Sequence, residues 1–221
     1  MIARMAEVKA LLEGFTRFHA KHFCGEERLY EHLAVKQEPR TLIISCSDAR
    51  VDPSILTDAR PGDIFVVRNV ANLVPPYQPV ADSYHGTSAA LEFAVKNLQV
   101  RHIVVLGHSG CAGIRALLDR GDTCEECEEE KEFSFISSWV DIAKEAKARA
   151  LHTCGHSGED PHTACEKEGI ITSLENLKTF PWIRERIDNG TIKLHGWYFS
   201  LDDGTLQFLS DDGTYRDAAL K

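Results

Sequence analysis

Two short segments of the chain end in residue types that bind metals and handle protons: Cys46-Ser-Asp48-Ala-Arg50 and His108-Ser-Gly-Cys111. Two thiolates with one imidazole are a known ligand set of catalytic zinc sites, which take three protein ligands and keep a fourth position for water. Two thiolates leave little net charge at the metal, so such a water is acidified less than in an all-histidine site, and a neighbouring group must help to hold it. Asp48 stands two residues past Cys46, close enough to accept that hydrogen bond, with Arg50 close enough to pair with Asp48. A carboxylate held by an arginine stays ionised and fixed in orientation. The competing interpretation is plainer: two core cysteines, a structural histidine and a surface ion pair.

For the ligands to meet, the chain must bring the two segments to one place. Each comes after an apolar run of strand length, Leu42–Ile44 and Ile103–Leu106, rich in β-branched residues and without polar alternation. Such runs suit strands buried on both faces of a parallel sheet. A parallel sheet aligns the carboxyl ends of its strands, so Cys46 can meet His108 and Cys111 there. Gly107 is expected to let the backbone turn sharply, and Cys111 to begin a helix at 111–119, whose dipole favours a thiolate.

Further strands are expected at 64–67, 191–199 and 206–209, the last two joined by a hairpin at Asp203-Gly204. Apolar spacing predicts helices at 86–98, 133–151 and 164–177, with a loop from Gly155 to Pro161 and a short helix from Pro181 to Ile187. Met5, Val8, Leu11, Leu12, Phe15 and Phe18 recur at helical spacing, giving an arm of two helices at ~4–20 and ~27–34 that must bury its stripe on its own domain or on a neighbouring subunit. The expected fold is α/β: a mostly parallel central sheet flanked by helices, with an amino-terminal helical arm (1–35), a core (36–221) and a C-terminal hairpin, all in one domain of 221 residues.

A net charge of −9 and a pI near 5.6 argue against nucleic-acid or anionic-membrane partners, which need a positive footprint. The amino terminus has neither a long apolar stretch nor a small-residue cleavage site, so neither a signal peptide nor a membrane anchor is expected. The seven cysteines, an odd number, then belong in a reducing cytoplasm, where cysteines near histidines suggest metal before disulfides. Cys124-Glu-Glu-Cys127 has ligand spacing, and Cys154, His156, His162 and Cys165 lie downstream of it. A second, structural zinc would need a spacing that matches no standard finger, so an acidic loop with incidental thiols is the preferred reading.

Cys46-Ser-Asp48-x-Arg50 with His108-x-x-Cys111 resembles the β-class carbonic anhydrases, in a plant-type-like branch. The similarity runs from about Gln37 to Gly113 and again over Ala164-Cys-Glu-Lys-Glu and Leu194-His-Gly-Trp-Tyr-Phe199, more than half the chain. It implies reversible hydration of carbon dioxide to bicarbonate and a proton by zinc-bound hydroxide. It also implies one Zn2+ per chain, held by Cys46, His108 and Cys111. Asp48 and Arg50 would be catalytic, Arg50 holding Asp48 clear of the metal; in closed, inactive forms of the family Asp48 becomes a fourth ligand. Gln37, Phe65 and Phe93 would line the substrate pocket, although Phe93 stands where that branch has a tyrosine. Phe65 and Phe93 read equally well as core aromatics. A bicarbonate-regulated branch has a tryptophan where this chain has Ile43 and an arginine that falls on Arg68; without the tryptophan, an open site with Asp48 paired to Arg50 is expected. The resemblance further implies a homodimer or higher homo-oligomer, with the arm helices embracing the partner.

Rival functions are a related zinc hydrolase of carbon disulfide or carbonyl sulfide, and a non-catalytic zinc-binding regulator on the same fold. Intact Asp48 and Arg50 weigh against the second. A zinc dehydrogenase would need a Gly-rich dinucleotide turn, which is absent. A nucleoside deaminase would need His-x-Glu with Pro-Cys-x-x-Cys, also absent.

Overall fold

The computed structural model describes residues 2–24, 29–79, 84–119 and 135–218. The chain forms two compact units, Met1–Glu38 and Pro39–Lys221. In the first, helices α1 (Ile2–Phe23) and α2 (Leu29–Leu33) are joined by aromatic packing. Tyr30 stacks on Phe23 at 4.6 Å between ring centroids, and His19 stacks on the same Phe23 at 5.2 Å. Val8, Leu11, Leu12 and Phe15, the stripe expected to be buried, are all more than half exposed.

The second unit is built on a six-stranded sheet in the order β2-β1-β3-β4-β5-β6. Strands β1 (Thr41–Cys46), β2 (Ile64–Asn69), β3 (His102–His108) and β4 (Lys193–Phe199) are parallel. Strands β5 (Leu206–Leu209) and β6 (Tyr215–Asp217) extend the sheet antiparallel. Strands β1 and β3, buried at every residue after the first, confirm the reading of unalternated apolar runs as central strands, since helices or other cover occupy both faces. On one face, Leu42, Ile44, Ile103 and Val105 pack with Ile170, Leu174 and Leu177 of α8 (Pro161–Leu177). On the other, Ile43, Val104 and Leu106 pack with Leu56, Trp197, Phe199 and Leu206.

Several boundaries differ from the periodicity, each for a local reason. The helix expected at 86–98 is α4 (Gly86–Glu92) and then a wider turn, Phe93–Asn97, in which Leu98 N–H bonds to Phe93 O five residues back. The start expected at Phe133 lies outside the described residues. The rest of that span divides into α6 (Phe135–Val140), a tight turn at Asp141–Ala143, and α7 (Lys144–Ser157). The loop expected from Gly155 is helical as far as Ser157, because an interior glycine weakens a helix without ending it; the stop is Gly158, at φ +71°. Helix α8 begins at Pro161 rather than Ala164, capped by Asp160, whose carboxylate accepts Thr163 N–H at 3.0 Å. Three pieces too short to show a period complete the unit: α3 (Pro53–Leu56), the turn Val70–Asn72 and β6. Helices α5 (Ala112–Asp119) and α9 (Pro181–Asp188) stand where expected within a residue.

Candidate metal centre

Because β1 and β3 run parallel in adjacent positions, Ser45 pairs with Leu106 and both strands end together. Cys46 closes β1 and His108 closes β3. Gly110, at φ +67°, reverses the chain so that Cys111 sits just before α5, its carbonyl accepting Arg115 N–H at 3.0 Å. The sharp turn expected at Gly107 therefore falls at Gly110. Gly107 is an extended strand residue, and its missing side chain is needed for a different purpose: a Cβ there would lie 2.7 Å from Ile170 Cδ1 on α8.

Cys46 Sγ, Cys111 Sγ and a ring nitrogen of His108 all lie within 4.8 Å of one another, and all three residues are buried. The two sulfurs are 3.9 Å apart. Their contact drives the Cys46 thiol well down, and the same contact together with burial drives Cys111 up. His108 Nδ1 lies 2.9 Å from the carbonyl of Ser109, so the ring's proton belongs there and Nε2 is the bare acceptor. Nε2 is buried and has no hydrogen-bond partner. A buried acceptor left unpaired costs free energy unless something else takes its lone pair, and a cation beside two thiolates does so. Sulfur, sulfur and imidazole nitrogen form the donor set zinc prefers over hard-ligand metals. The residues present fit zinc.

Asp48 and Arg50 form a forked pair beside this group. Arg50 Nε and Nη2 donate to Asp48 Oδ1 and Oδ2 at 2.9 and 2.7 Å, and the Arg50 backbone N–H donates to Oδ1 at 3.0 Å. These bonds hold the Asp48 carboxyl well below the usual carboxylate range against a smaller opposing effect of burial. Arg50 Nη2 also donates to Gly110 O at 3.2 Å, tying the first segment to the second. Asp48 Oδ2 stands 4.0 Å from His108 Nε2, too far for a hydrogen bond between them.

Of the pocket candidates, Phe65 on β2 packs against the main core, and its ring centroid lies 6.0 Å from that of Phe93, at the start of the widened turn after α4. Phe93 is about two-fifths exposed. Gln37 is an exposed residue of the amino-terminal unit. Of the possible second cluster, Cys124 and Cys127 lie outside the described residues; Cys165 is buried and Cys154 half-buried in the core against α5 to α8.

Sequence reasoning missed Glu166. Its carboxylate is buried beneath the centre, Oε1 accepting Cys111 N–H at 2.8 Å and Oε2 accepting the Tyr198 hydroxyl at 2.8 Å. The signal was there: Glu166 is one helical turn before Ile170 on the stripe that continues through Leu174 and Leu177, and a charged residue on a buried stripe needs a partner.

Known proteins share this chain's sequence and fold. The family model described as carbonic anhydrase matches residues 41–206, well over half the chain. A mitochondrial β-carbonic anhydrase of Arabidopsis thaliana is 39% identical over 203 residues, covering 90% of this chain and 67% of its own. The chain belongs to the carbonic anhydrase family, in its β class. Carbonic anhydrases of this class are zinc lyases that hydrate carbon dioxide reversibly, and this chain has their fold and a Cys-His-Cys group whose donors fit zinc. Among solved structures, the β-carbonic anhydrase CcaA superposes with a TM-score of 0.84 at 31% identity, over 98% of this chain and 94% of the other. A tetrameric β-carbonic anhydrase of Sordaria macrospora gives 0.78 at 24% identity, over 97% of this chain and 100% of the other, a likeness of fold.

Proposed function

We propose that Cys46, His108 and Cys111 hold the zinc of this carbonic anhydrase, that Asp48 orients the attacking water, and that Arg50 keeps Asp48 off the metal. The observation that carries this is the buried group of two cysteine sulfurs and a His108 ring nitrogen within 4.8 Å of one another, with Nε2 of that ring buried and without a hydrogen-bond partner. Zinc bound there supplies a Lewis acid that makes water nucleophilic near neutral pH. Ionised Asp48 can only accept hydrogen bonds. Its Oδ1 is occupied by two Arg50 bonds, whereas Oδ2 takes one and is the oxygen facing His108. Oδ2 can therefore accept one O–H of the nucleophile, turning the oxygen's lone pair toward carbon dioxide. The proton of the hydration leaves to buffer. With Asp48 engaged by Arg50, the site is read as open.

Phe65 and Phe93 supply an apolar wall suited to carbon dioxide, and no hydroxyl stands at 93. Gln37 stays a candidate substrate-binding residue on the resemblance alone. We also read the protein as a homodimer or larger homo-oligomer, because α1 leaves Val8, Leu11, Leu12 and Phe15 exposed and a second copy is the cover such a stripe calls for. Among the described residues no helix is long and apolar enough to cross a membrane. Among the described residues the five cysteines form no disulfide, which suits a reducing compartment such as the cytoplasm. Metal analysis of Cys46→Ser, His108→Ala and Cys111→Ser tests the ligand assignment. Each is expected to lose most of its zinc and carbon dioxide hydration; a variant with full zinc and full activity removes that residue from the set.

A further inference from the structure

The hydration chemistry assigned to Asp48 and Arg50 makes no use of Arg68. It lies on β2, the edge strand, opposite Ser45 of β1, and all three of its guanidinium nitrogens are bonded to the end of β1 and the loop after it. Nε donates to Cys46 O at 3.0 Å, Nη2 to Asp48 O at 2.7 Å, and Nη1 to Asp52 Oδ2 at 3.1 Å. The two carbonyls bracket Ser47, whose own N–H bonds to Asn69 O at 2.9 Å. The third contact anchors the fork in a fixed element, since Asp52 caps α3 through its other oxygen, accepting Ser54 N–H at 2.9 Å.

We propose that Arg68 is a positioning residue of the hydration reaction, setting the Cys46 thiol and the Asp48 carboxylate in register by gripping their carbonyls and bracing against Asp52. This rests on the proposed roles of Cys46 as a zinc ligand and Asp48 as the group that orients water. A carbonyl held by a hydrogen bond fixes its peptide plane, and with it the ψ angle of its residue. Cys46 and Asp48 present their functional atoms from either side of one residue, so a small rotation at either shifts thiol and carboxylate relative to each other. Misplacement of about 1 Å can cost on the order of 100-fold in rate. A planar guanidinium reaches three acceptors in fixed directions, which the compact ammonium of lysine cannot reproduce. With each of its three nitrogens donating one hydrogen bond to the protein, Arg68 is held as an internal brace.

The test compares Arg68→Gln, Arg68→Lys, Asp52→Asn and the double variant Arg68→Gln/Asp52→Asn with wild type and Asp48→Ala. Steady-state carbon dioxide hydration is measured with the rate of zinc transfer to a chelator. Arg68→Gln is expected to lower kcat on the order of 10- to 100-fold with KM changed less than about threefold, and to speed zinc release. Arg68→Lys recovers part of the rate, Asp52→Asn loses a smaller part, and the double variant loses no more than Arg68→Gln, because Asp52 acts through Arg68. Wild-type kcat and zinc release in Arg68→Gln, or effects of Arg68 and Asp52 that simply multiply, overturn the brace. So does an Arg68→Gln whose only change is lost inhibition by bicarbonate. If Arg68→Gln does not fold, Asp52→Asn decides: wild-type kcat and zinc release there also overturn it. Full activity in Asp48→Ala would instead overturn the underlying site, a distinguishable failure.

Discussion

Glu166 is a buried carboxylate whose two oxygens each satisfy one donor, the Cys111 amide and the Tyr198 hydroxyl. Glu166→Ala orphans both, at about 1–3 kcal/mol for each buried donor left unpaired. Glu166→Gln retains an acceptor for the amide, and its NH2 can donate to the Tyr198 oxygen. Urea titration of both variants is expected to show the alanine substitution costing several-fold more than the glutamine one; equal costs would mean that the Cys111 amide does not depend on this residue. Cys165, its neighbour in sequence, titrates differently. Burial, and then the charge of Glu166, push its thiol up to about 12. Its folded value lies above the unfolded value of about 8.5, so its contribution to stability is complete below about pH 8.5 and is lost as pH rises towards about 12. Cys165→Ala is expected to flatten part of the fall in urea midpoint between about pH 8.5 and 11. The same residue should resist alkylation near its unfolded value of about 8.5 while exposed Cys24 is labelled; rapid labelling of Cys165 in folded protein contradicts its burial.

At the scale of elements, the centre depends on how closely α8 approaches the end of β3. Gly107 of β3 faces Ile170, where a Cβ would stand 2.7 and 2.8 Å from two side-chain atoms. Gly113 of α5 is similarly close to Val70, at 2.7 Å. Gly107→Ala is expected to destabilise by about 1–3 kcal/mol through overpacking and, by displacing His108 next to it, to weaken zinc retention. A thermal midpoint and zinc content equal to wild type would show that α8 yields freely. This contact also marks what the sequence could and could not tell. The unalternated runs at 42–44 and 103–106 identified the central strands, and strand order did the rest of the work of joining Cys46 to His108. The spacing His108-x-x-Cys111 carried the turn, though it did not say which glycine makes it, because φ is decided by the path that α5 must take. Glu166 and Arg68 act through backbone groups of other segments, 55 and 22 or fewer residues away, and such contacts leave no local period. Short pieces such as α3 and β6 were hidden for a related reason: four or three residues are less than one repeat of any pattern.

For the whole molecule, the acidic composition and the exposed stripe of α1 set what the surface does. A stripe of four apolar side chains, each more than half exposed, is expected to be covered in solution by a second copy, so light scattering should give a mass at a multiple of 24.7 kDa, two or higher. A monomer at micromolar concentration contradicts that expectation. The central claim, that this chain hydrates carbon dioxide at a zinc held by Cys46, His108 and Cys111 and directed by Asp48, meets its most direct test in one paired measurement: zinc content and stopped-flow carbon dioxide hydration of wild type and Asp48→Ala. Wild type should carry one zinc per chain and hydrate carbon dioxide, and Asp48→Ala should keep its zinc while losing about 10²- to 10⁴-fold in rate, the range a positioned proton-handling group contributes. A zinc-free or inert wild type, or an Asp48→Ala variant as fast as wild type, would contradict it.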